Sequence, residues 1–233
     1  MLRHRARGLL GFSVTKENCM ADYLRARSAE QKSERMQAIM DAADGLFNQR
    51  PYHQITMGSI AAELGWSRSN LYKYAATQEE IFLALHSQKN RDWLAHLEQE
   101  LSAAPLATEQ FARIWAHVTE EHAGFLRYQE ILTSIIESNV TPERLTDFKG
   151  GFAEMTVPIT EILSRQCGIS AQAALELYLR LLYQAPGLYN HFHSSPMTRA
   201  AISAAGLPAV RGNFADSYTE FVLMCLENAA SAG

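Results

Sequence analysis

The chain has 233 residues, 47% of them hydrophobic, enough for one large or two modest domains with a substantial buried core. Its formal net charge of −4 is unevenly spread: eleven Lys and Arg stand against seven acids through Ala76 and ten against eighteen afterwards, so a polyanion partner is expected for the first part only. No apolar run approaches the roughly 20 residues that span a bilayer, and the three cysteines, Cys19, Cys167 and Cys225, lack metal-ligand or redox spacing, so a membrane protein is not expected and a cytoplasmic one is.

Residues 1–27 read as a disordered basic extension, with Arg3, Arg5 and Arg7 ahead of a short apolar patch. Lys16 and Glu17 follow that patch without a small-residue cleavage site, so it is not read as a signal peptide. Ser28-Ala-Glu-Gln31 has capping-box spacing, and Met36, Ile39, Ala43, Leu46 and Phe47 then recur at three- and four-residue steps, which predicts a helix from about 29 to 49, ended by Pro51. Thr56 caps a second helix with Ile60, Ala61 and Leu64 inward, and Gly65 supplies the left-handed conformation of a sharp helix end. Ser67 caps a third helix running to Tyr74, from which Leu71 and Tyr74 point back at the first two. Thr77-Gln-Glu-Glu80 opens a long fourth helix through Ile81, Phe82, Leu85, Trp93, Leu94 and Leu97.

Pro105 precedes a fifth helix from near Thr108, and Gly124 separates it from a sixth over about 126 to 139. Thr141-Pro142-Glu143 places a cap, a first-turn proline and a first-turn acid in order, opening a seventh helix that runs to Gly168 with a kink at Pro158. Ser170 caps an eighth helix, and a last one covers about Asn213 to Ala230. The stretch between them, with two prolines and two glycines, reads as a long connection holding about one helical turn. With no alternating period-two segment and no repeat, the fold class is all-α.

A short helix, a glycine turn and a second short helix over Thr56–Tyr74 have the geometry of a helix-turn-helix, in which the second helix enters the DNA major groove. Arg68 can donate a fork of hydrogen bonds to guanine or phosphate, Asn70 can pair with adenine, Ser69 is short enough for close approach, and Tyr72 and Lys73 suit phosphates. From spacing alone, an ordinary helical hairpin with a polar face is an equal reading.

The run IMDAADGLFNQRPYHQITMGSIAAELGWSRSNLYKYAATQEEIF, residues 39 to 82, resembles the DNA-binding domain of the TetR family of bacterial transcriptional regulators. The resemblance is carried by Ile39, Ala42, Ala43, Leu46-Phe47, Tyr52, Thr56, Ile60-Ala61, Leu64-Gly65, Ser67, Leu71-Tyr72 and the acidic start of the fourth helix. It implies a three-helix DNA-binding domain over 28–76 followed by an all-helical effector-binding and dimerisation domain over 77–233. It also implies a homodimeric repressor that binds a palindromic double-stranded DNA operator and is released by a small molecule. By position, Thr56 resembles the residue that caps the second helix and touches phosphate. Arg68, Ser69 and Asn70 occupy the places that usually read bases, Tyr72 and Lys73 fall where the family contacts the backbone, and the cap Ser67 is counted with them as DNA-binding. The chain departs from the pattern at Pro51, where a glycine is usual, at Ala75 for a frequent phenylalanine, which leaves room for Tyr74 or Trp66, and at Gln78 for a frequent lysine.

Farther along, the eighth helix is apolar nearly all round, with Leu177, Leu181 and Leu188 on one side, and the last helix carries Phe221 and Cys225. These five residues are the candidate dimer interface, a two-fold four-helix contact, against the alternative of a large monomeric core. Phe111, Trp115, Phe125, Tyr128, Phe148, Phe152 and Met155 lie on helices that enclose a cavity in the family, with His117, Arg127 and Glu137 as polar groups, which implies a lipophilic or aromatic effector. Such an aromatic stripe is equally the mark of plain core. His191 and His193 point to different faces, so no metal site is expected, and no cofactor is called for. Nothing places Cys167, Ser164 or a histidine in a catalytic constellation, so an enzyme is not expected. The alternative function is a ligand-independent DNA-organising protein with the same helix-turn-helix.

Overall fold

Nothing between Lys16 and Gln49 stops a helix: the segment has no proline and a single glycine, and the first helix, α1, runs over its whole length. The computed structural model describes the backbone of residues 16–232 and the side chains of residues 30–231. The expected start of α1 near residue 29 is therefore corrected, and so is the disordered extension over 16–27, where the backbone is helical. The backbone is already helical at Ser28, so no helix begins there. Residues 1–15 of that extension lie outside the described residues.

α2 (Met57–Glu63) and α3 (Arg68–Leu71) complete the first of two compact units, which meet in sequence between Tyr74 and Ala75. Its core is Ile39, Ala43, Leu46 and Phe47 of α1 with Ile60, Ala61 and Leu71. At the end of α2, Gly65 has φ +65, and the N–H of Trp66 bonds back to Ala61 O at 2.8 Å and that of Gly65 to Ala62 O at 3.1 Å. This pair of bonds closes the helix end and requires the left-handed residue glycine adopts without a Cβ penalty. The third helix is shorter than expected, with Tyr72 already its C-terminal cap.

The second unit contains α4 (Gln78–Leu101), α5 (Thr108–Glu121), α6 (Ala123–Ile131), α7 (Pro142–Cys167), α8 (Ala171–Phe192), α9 (Pro196–Ala204) and α10 (Phe214–Ala232). The break between α5 and α6 falls at His122, with φ −96 and ψ 29, and Gly124 sits inside the first turn of α6. α6 loosens into a π-helical turn over Leu132–Ile136 and a 3-10 turn over Glu137–Asn139. α7 and α8 continue through Pro158 and Pro186. The connection before α10 contains α9, more than the single turn expected: Ser195 caps it, Pro196 opens it, and Gly206, at φ +69, closes it.

α8 lies at the centre of this unit. Ala174, Leu177, Tyr178, Leu181, Leu182 and Ala185 form one broad buried face against α6, α7 and α10. Tyr218 of α10 ties the layers together, donating to Leu181 O at 2.7 Å and accepting from Trp115 Nε1 at 3.3 Å. Helix α8, expected to be apolar nearly all round, thus buries one broad inward face. Leu177 and Leu181, 3% and 0% exposed, are core of their own chain, which corrects their assignment to a dimer interface. The large hydrophobic side chains that α8 and α10 turn outward are Tyr183 and Met224, with Leu175, Leu179, Leu188, Phe221 and Cys225 half-buried. Cys167 and Cys225 are free thiols whose burial raises their pKa. Among the described residues, no helix is long and apolar enough to cross a membrane.

Candidate nucleic-acid interface

The sequence between Thr56 and Lys73 orders its own backbone. Thr56 Oγ1 accepts from the N–H of Ser59 at 3.1 Å, and Ser59 Oγ accepts from the N–H of Thr56 at 2.9 Å, a reciprocal capping box that occupies two otherwise orphan donors. Ser67 Oγ accepts from the N–H of Asn70 at 3.3 Å and lies 3.0 Å from Ser69 Oγ. Leu71, fully buried, anchors α3 to the unit's core. The remaining side chains of this short helix are not part of that core. Ser67, Arg68, Ser69, Tyr72 and Lys73 are exposed, as is Thr56, while Asn70 is half-buried.

Arg68 shows a feature that the sequence reading missed. Its guanidinium lies so close to Gly58 on α2 that a Cβ there would stand 2.5 Å from Nη2 and 2.9 Å from Cζ. Gly58 therefore makes room for the arginine to lie across the start of α2. The legible signal was a glycine in the first turn of a capped helix, where propensity alone favours almost any other residue. Behind the turn, the Trp66 ring lies 5.9 Å from that of Tyr74, with the Arg35 guanidinium 5.2 Å above it. At the start of α4, Thr77 Oγ1 accepts from Glu80 N at 3.2 Å, but Glu80 Oε2 accepts from the N–H of Ala76, not of Thr77. The return bond of the expected capping box is thus displaced by one residue.

In the second unit, the seven residues assigned to an effector cavity divide. Phe111 and Trp115 stack at 6.0 Å, Phe125 stacks on Trp93 at 5.1 Å, Tyr128 meets Phe82 at 5.8 Å and Phe148 meets His86 at 5.4 Å; all five assigned rings are buried in close packing. Met155 is half-buried against the core. Phe152 lines an open cleft of about 400 Å³ between α7 and α8, with Val157, Leu175 and Leu179. Of the polar groups considered, His117 faces Glu121 at 3.3 Å and Glu137 holds Lys149 at 2.6 Å. No group of three or more potential metal ligands occurs among the described residues, and His193 is stacked on Tyr189 at 4.0 Å.

Sequence reading also passed over a polar knot in this core. His86 and Asn90, one turn apart on the apolar face of α4, are fully buried, as is Tyr178 of α8, and Gln129 of α6 is nearly so. His86 Nε2 meets Gln129 Oε1 at 2.7 Å. Burial lowers the His86 pKa to about 4, with the nearby Lys149 charge acting in the same direction and the Gln129 hydrogen bond opposing both. His86 Nδ1, both polar atoms of the Asn90 carboxamide and the Tyr178 hydroxyl have no hydrogen-bond partner. Two polar residues at i and i+4 between Phe82 and Trp93 were the available signal, and α4 reads as an apolar stripe without them.

Comparison with known proteins accounts for both units. The family profile described as "Bacterial regulatory proteins, tetR family" matches residues 39–85, and that described as "Tetracyclin repressor-like, C-terminal domain" matches residues 87–228. The chain is similar to the fatty acid metabolism regulator protein of Bacillus subtilis, 26% identical over 85 residues, which cover 36% of this chain and 44% of that one. It is also similar to an uncharacterized HTH-type transcriptional regulator of Mycobacterium tuberculosis, 39% identical over 70 residues, covering 30% and 33%. The chain thus spans less than half the length of these curated relatives. Two solved structures share its fold over most of their length. A putative TetR-family regulator from Mesorhizobium loti has a TM-score of 0.53 and 17% identity, covering 86% of this chain and 97% of that one. A TetR/AcrR-family regulator from Thermobifida fusca has a TM-score of 0.51 and 16% identity, covering 84% and 97%. With the profiles of both domains matched in order along it, the chain belongs to the TetR family of bacterial transcriptional regulators.

Proposed function

We propose that the protein is a cytoplasmic homodimeric repressor that places α3 of each subunit in the major groove of a palindromic operator and is released by a small, largely apolar effector bound in its second unit. The observation that carries this reading is the row Ser67, Arg68, Ser69, Tyr72 and Lys73, exposed on and just beyond a helix that the Ser67 cap and a buried leucine hold in place. Side chains of this kind can form forked and single hydrogen bonds to base edges and phosphates, and here they lie outside the buried core. Arg68, Ser69 and Asn70 read bases, and Thr56, Ser67, Tyr72 and Lys73 fix position on the backbone. Dimerisation uses the outer faces of α8 and α10, where Tyr183 and Met224 are 56% and 50% exposed and Leu188, Phe221 and Cys225 border them. A relative named for fatty acid metabolism supports an apolar effector.

The close packing of Phe111, Trp115 and Phe125 favours the second reading, a DNA-organising protein without an effector. Selecting duplexes from a random pool with the purified chain tests the first. Enrichment of one inverted repeat, bound by two subunits and released by an apolar compound, supports it. Recovery of unrelated sequences with equal affinity contradicts it, and a specific repeat that no compound releases leaves the second reading in place.

A further inference from the structure

Asn90, His86 and Tyr178 bring polar atoms into the core of the second unit at a cost that packing does not offset: a donor or acceptor buried without a partner loses its hydrogen bonds to water and gains none. These atoms surround one aromatic cluster. The His86 ring lies 5.2 Å from Phe125, Phe125 lies 5.1 Å from Trp93, and Trp93 lies 6.3 Å from Tyr178. Asn90 shares the face of α4 that carries His86 and Trp93. On the other side of Tyr178, at 6.2 Å between ring centroids, is Phe152, which floors the cleft of about 400 Å³ between α7 and α8. That volume lies within the range of small-molecule sites, and Val157, Leu175 and Leu179 make its walls apolar. Phe152 therefore stands between an open apolar cleft and Tyr178, whose hydroxyl is unpartnered, and Trp93 and Phe125 carry the ring contacts on from Tyr178 to His86.

We propose that the cleft between α7 and α8, together with Tyr178 behind Phe152 and Asn90 and His86 deeper along the same aromatic cluster, is a binding site for a neutral, mainly apolar molecule with an amide-like head that both donates and accepts a hydrogen bond. The donor–acceptor requirement follows from the atoms. With Gln129 Oε1 accepting from Nε2, His86 Nδ1 is an acceptor. Asn90 offers a donor and an acceptor side by side, the arrangement another carboxamide or lactam complements. Neutrality follows from the surroundings. His86 carries no charge at pH 7, and Lys149, the cation that acts on it, is held by Glu137 at 2.6 Å, so a buried carboxylate would have no free partner. The apolar body lies in the cleft and the head reaches Tyr178 and Asn90 once the Phe152 ring swings aside. The π-helical turn at Leu132–Ile136, packed on α4 and following Gln129 on the same helix, gives the knot a neighbour with looser backbone bonding than a regular helix.

This site deepens the effector reading and rests on it. The test uses the full chain and two matched pairs of probes, octanamide with octanoate and 2-naphthamide with 2-naphthoate, and reads melting temperature over a concentration series. An amide at ten times its dissociation constant raises the wild-type midpoint by about 3–5 °C, while its carboxylate does not. Asn90→Leu and Tyr178→Phe each weaken amide binding at least tenfold, and Tyr178→Phe removes one oxygen without altering the packing, so its result stands if Asn90→Leu fails to fold. The proposal is overturned if carboxylates stabilise as well as amides, if the amides stabilise both variants as they do wild type, or if neither amide stabilises wild type at millimolar concentration. A compound that releases operator from wild type and Asn90→Leu alike sinks this site while leaving the effector reading intact.

Discussion

His86 makes the stability of the second unit depend on pH in a calculable way. Its folded pKa is about 4, against an unperturbed 6.5, because the imidazolium would be fully buried. Between these values the unfolded chain binds a proton that the folded chain refuses. The stabilising contribution is therefore complete above pH 6.5 and lost as pH falls toward 4, a difference of about 3 kcal/mol for this shift. That is a large part of the roughly 5–15 kcal/mol that holds an ordinary domain together. The clean perturbation is His86→Leu, which removes the titrating group and keeps the volume similar. Urea unfolding followed by tryptophan fluorescence, which Trp93 and Trp115 report from the same core, gives both stabilities from pH 7.5 to 4. Carboxylates titrate alike in both proteins, so the difference between them isolates His86. Wild type loses about 3 kcal/mol relative to the variant across this range. A difference constant to within about 0.5 kcal/mol would refute the reasoning, since it would mean that water or a rearranged side chain solvates the imidazolium.

Gly58→Ala displaces the Arg68 guanidinium while favouring the helix, so its melting temperature stays equal or rises by the equivalent of up to about 1 kcal/mol while operator affinity falls; calorimetry beside a DNA titration checks both. Thr56→Ala loses one side of the capping box and costs about 0.5–2 kcal/mol of stability by urea unfolding, with weaker binding to every duplex. Leu181→Ala leaves a cavity in the core and destabilises by about 2–5 kcal/mol. Tyr183→Glu, on the outer face of the same helix, leaves the fold within about 0.5 kcal/mol of wild type but yields monomers in sedimentation. The reverse outcome for these last two substitutions would return the interface to the inner face of α8.

The caps were legible because each is a local event, settled within four residues: Thr56, Ser67, Thr77, Thr141 and Ser170 each accept the backbone bond that the sequence assigned to them. Ser195-Pro196 carries the same signal as Thr141-Pro142 and was passed over because nearby prolines and glycines suggested a loop. Ser28 shows the converse, a cap pattern overridden because nothing before it breaks the helix. The faces of α8 were not legible. Leu177, Leu181 and Leu188 satisfy a helical period equally well whether they meet a partner subunit or the chain's own α10, and only the three-dimensional surroundings distinguish the two. At the DNA-facing end, composition and spacing identified the exposed row on α3, whereas the approach of Arg68 to Gly58 depends on the angle between α2 and α3, which no pattern of residues states.

The central claim is that α3 reads DNA, and the affinity of wild type, Arg68→Ala and Lys73→Ala for a selected inverted repeat and for its scrambled duplex, measured across a salt series, tests it most directly. Arg68→Ala is predicted to lose about 1–3 kcal/mol on the selected repeat per base contact removed and much less on the scrambled one. Lys73→Ala is predicted to weaken both duplexes alike and to lower the salt slope by about 1 per subunit, as one phosphate contact is lost. Binding of both variants to both duplexes with wild-type affinity and wild-type slope would contradict the account, because the exposed row on α3 would then face something other than DNA.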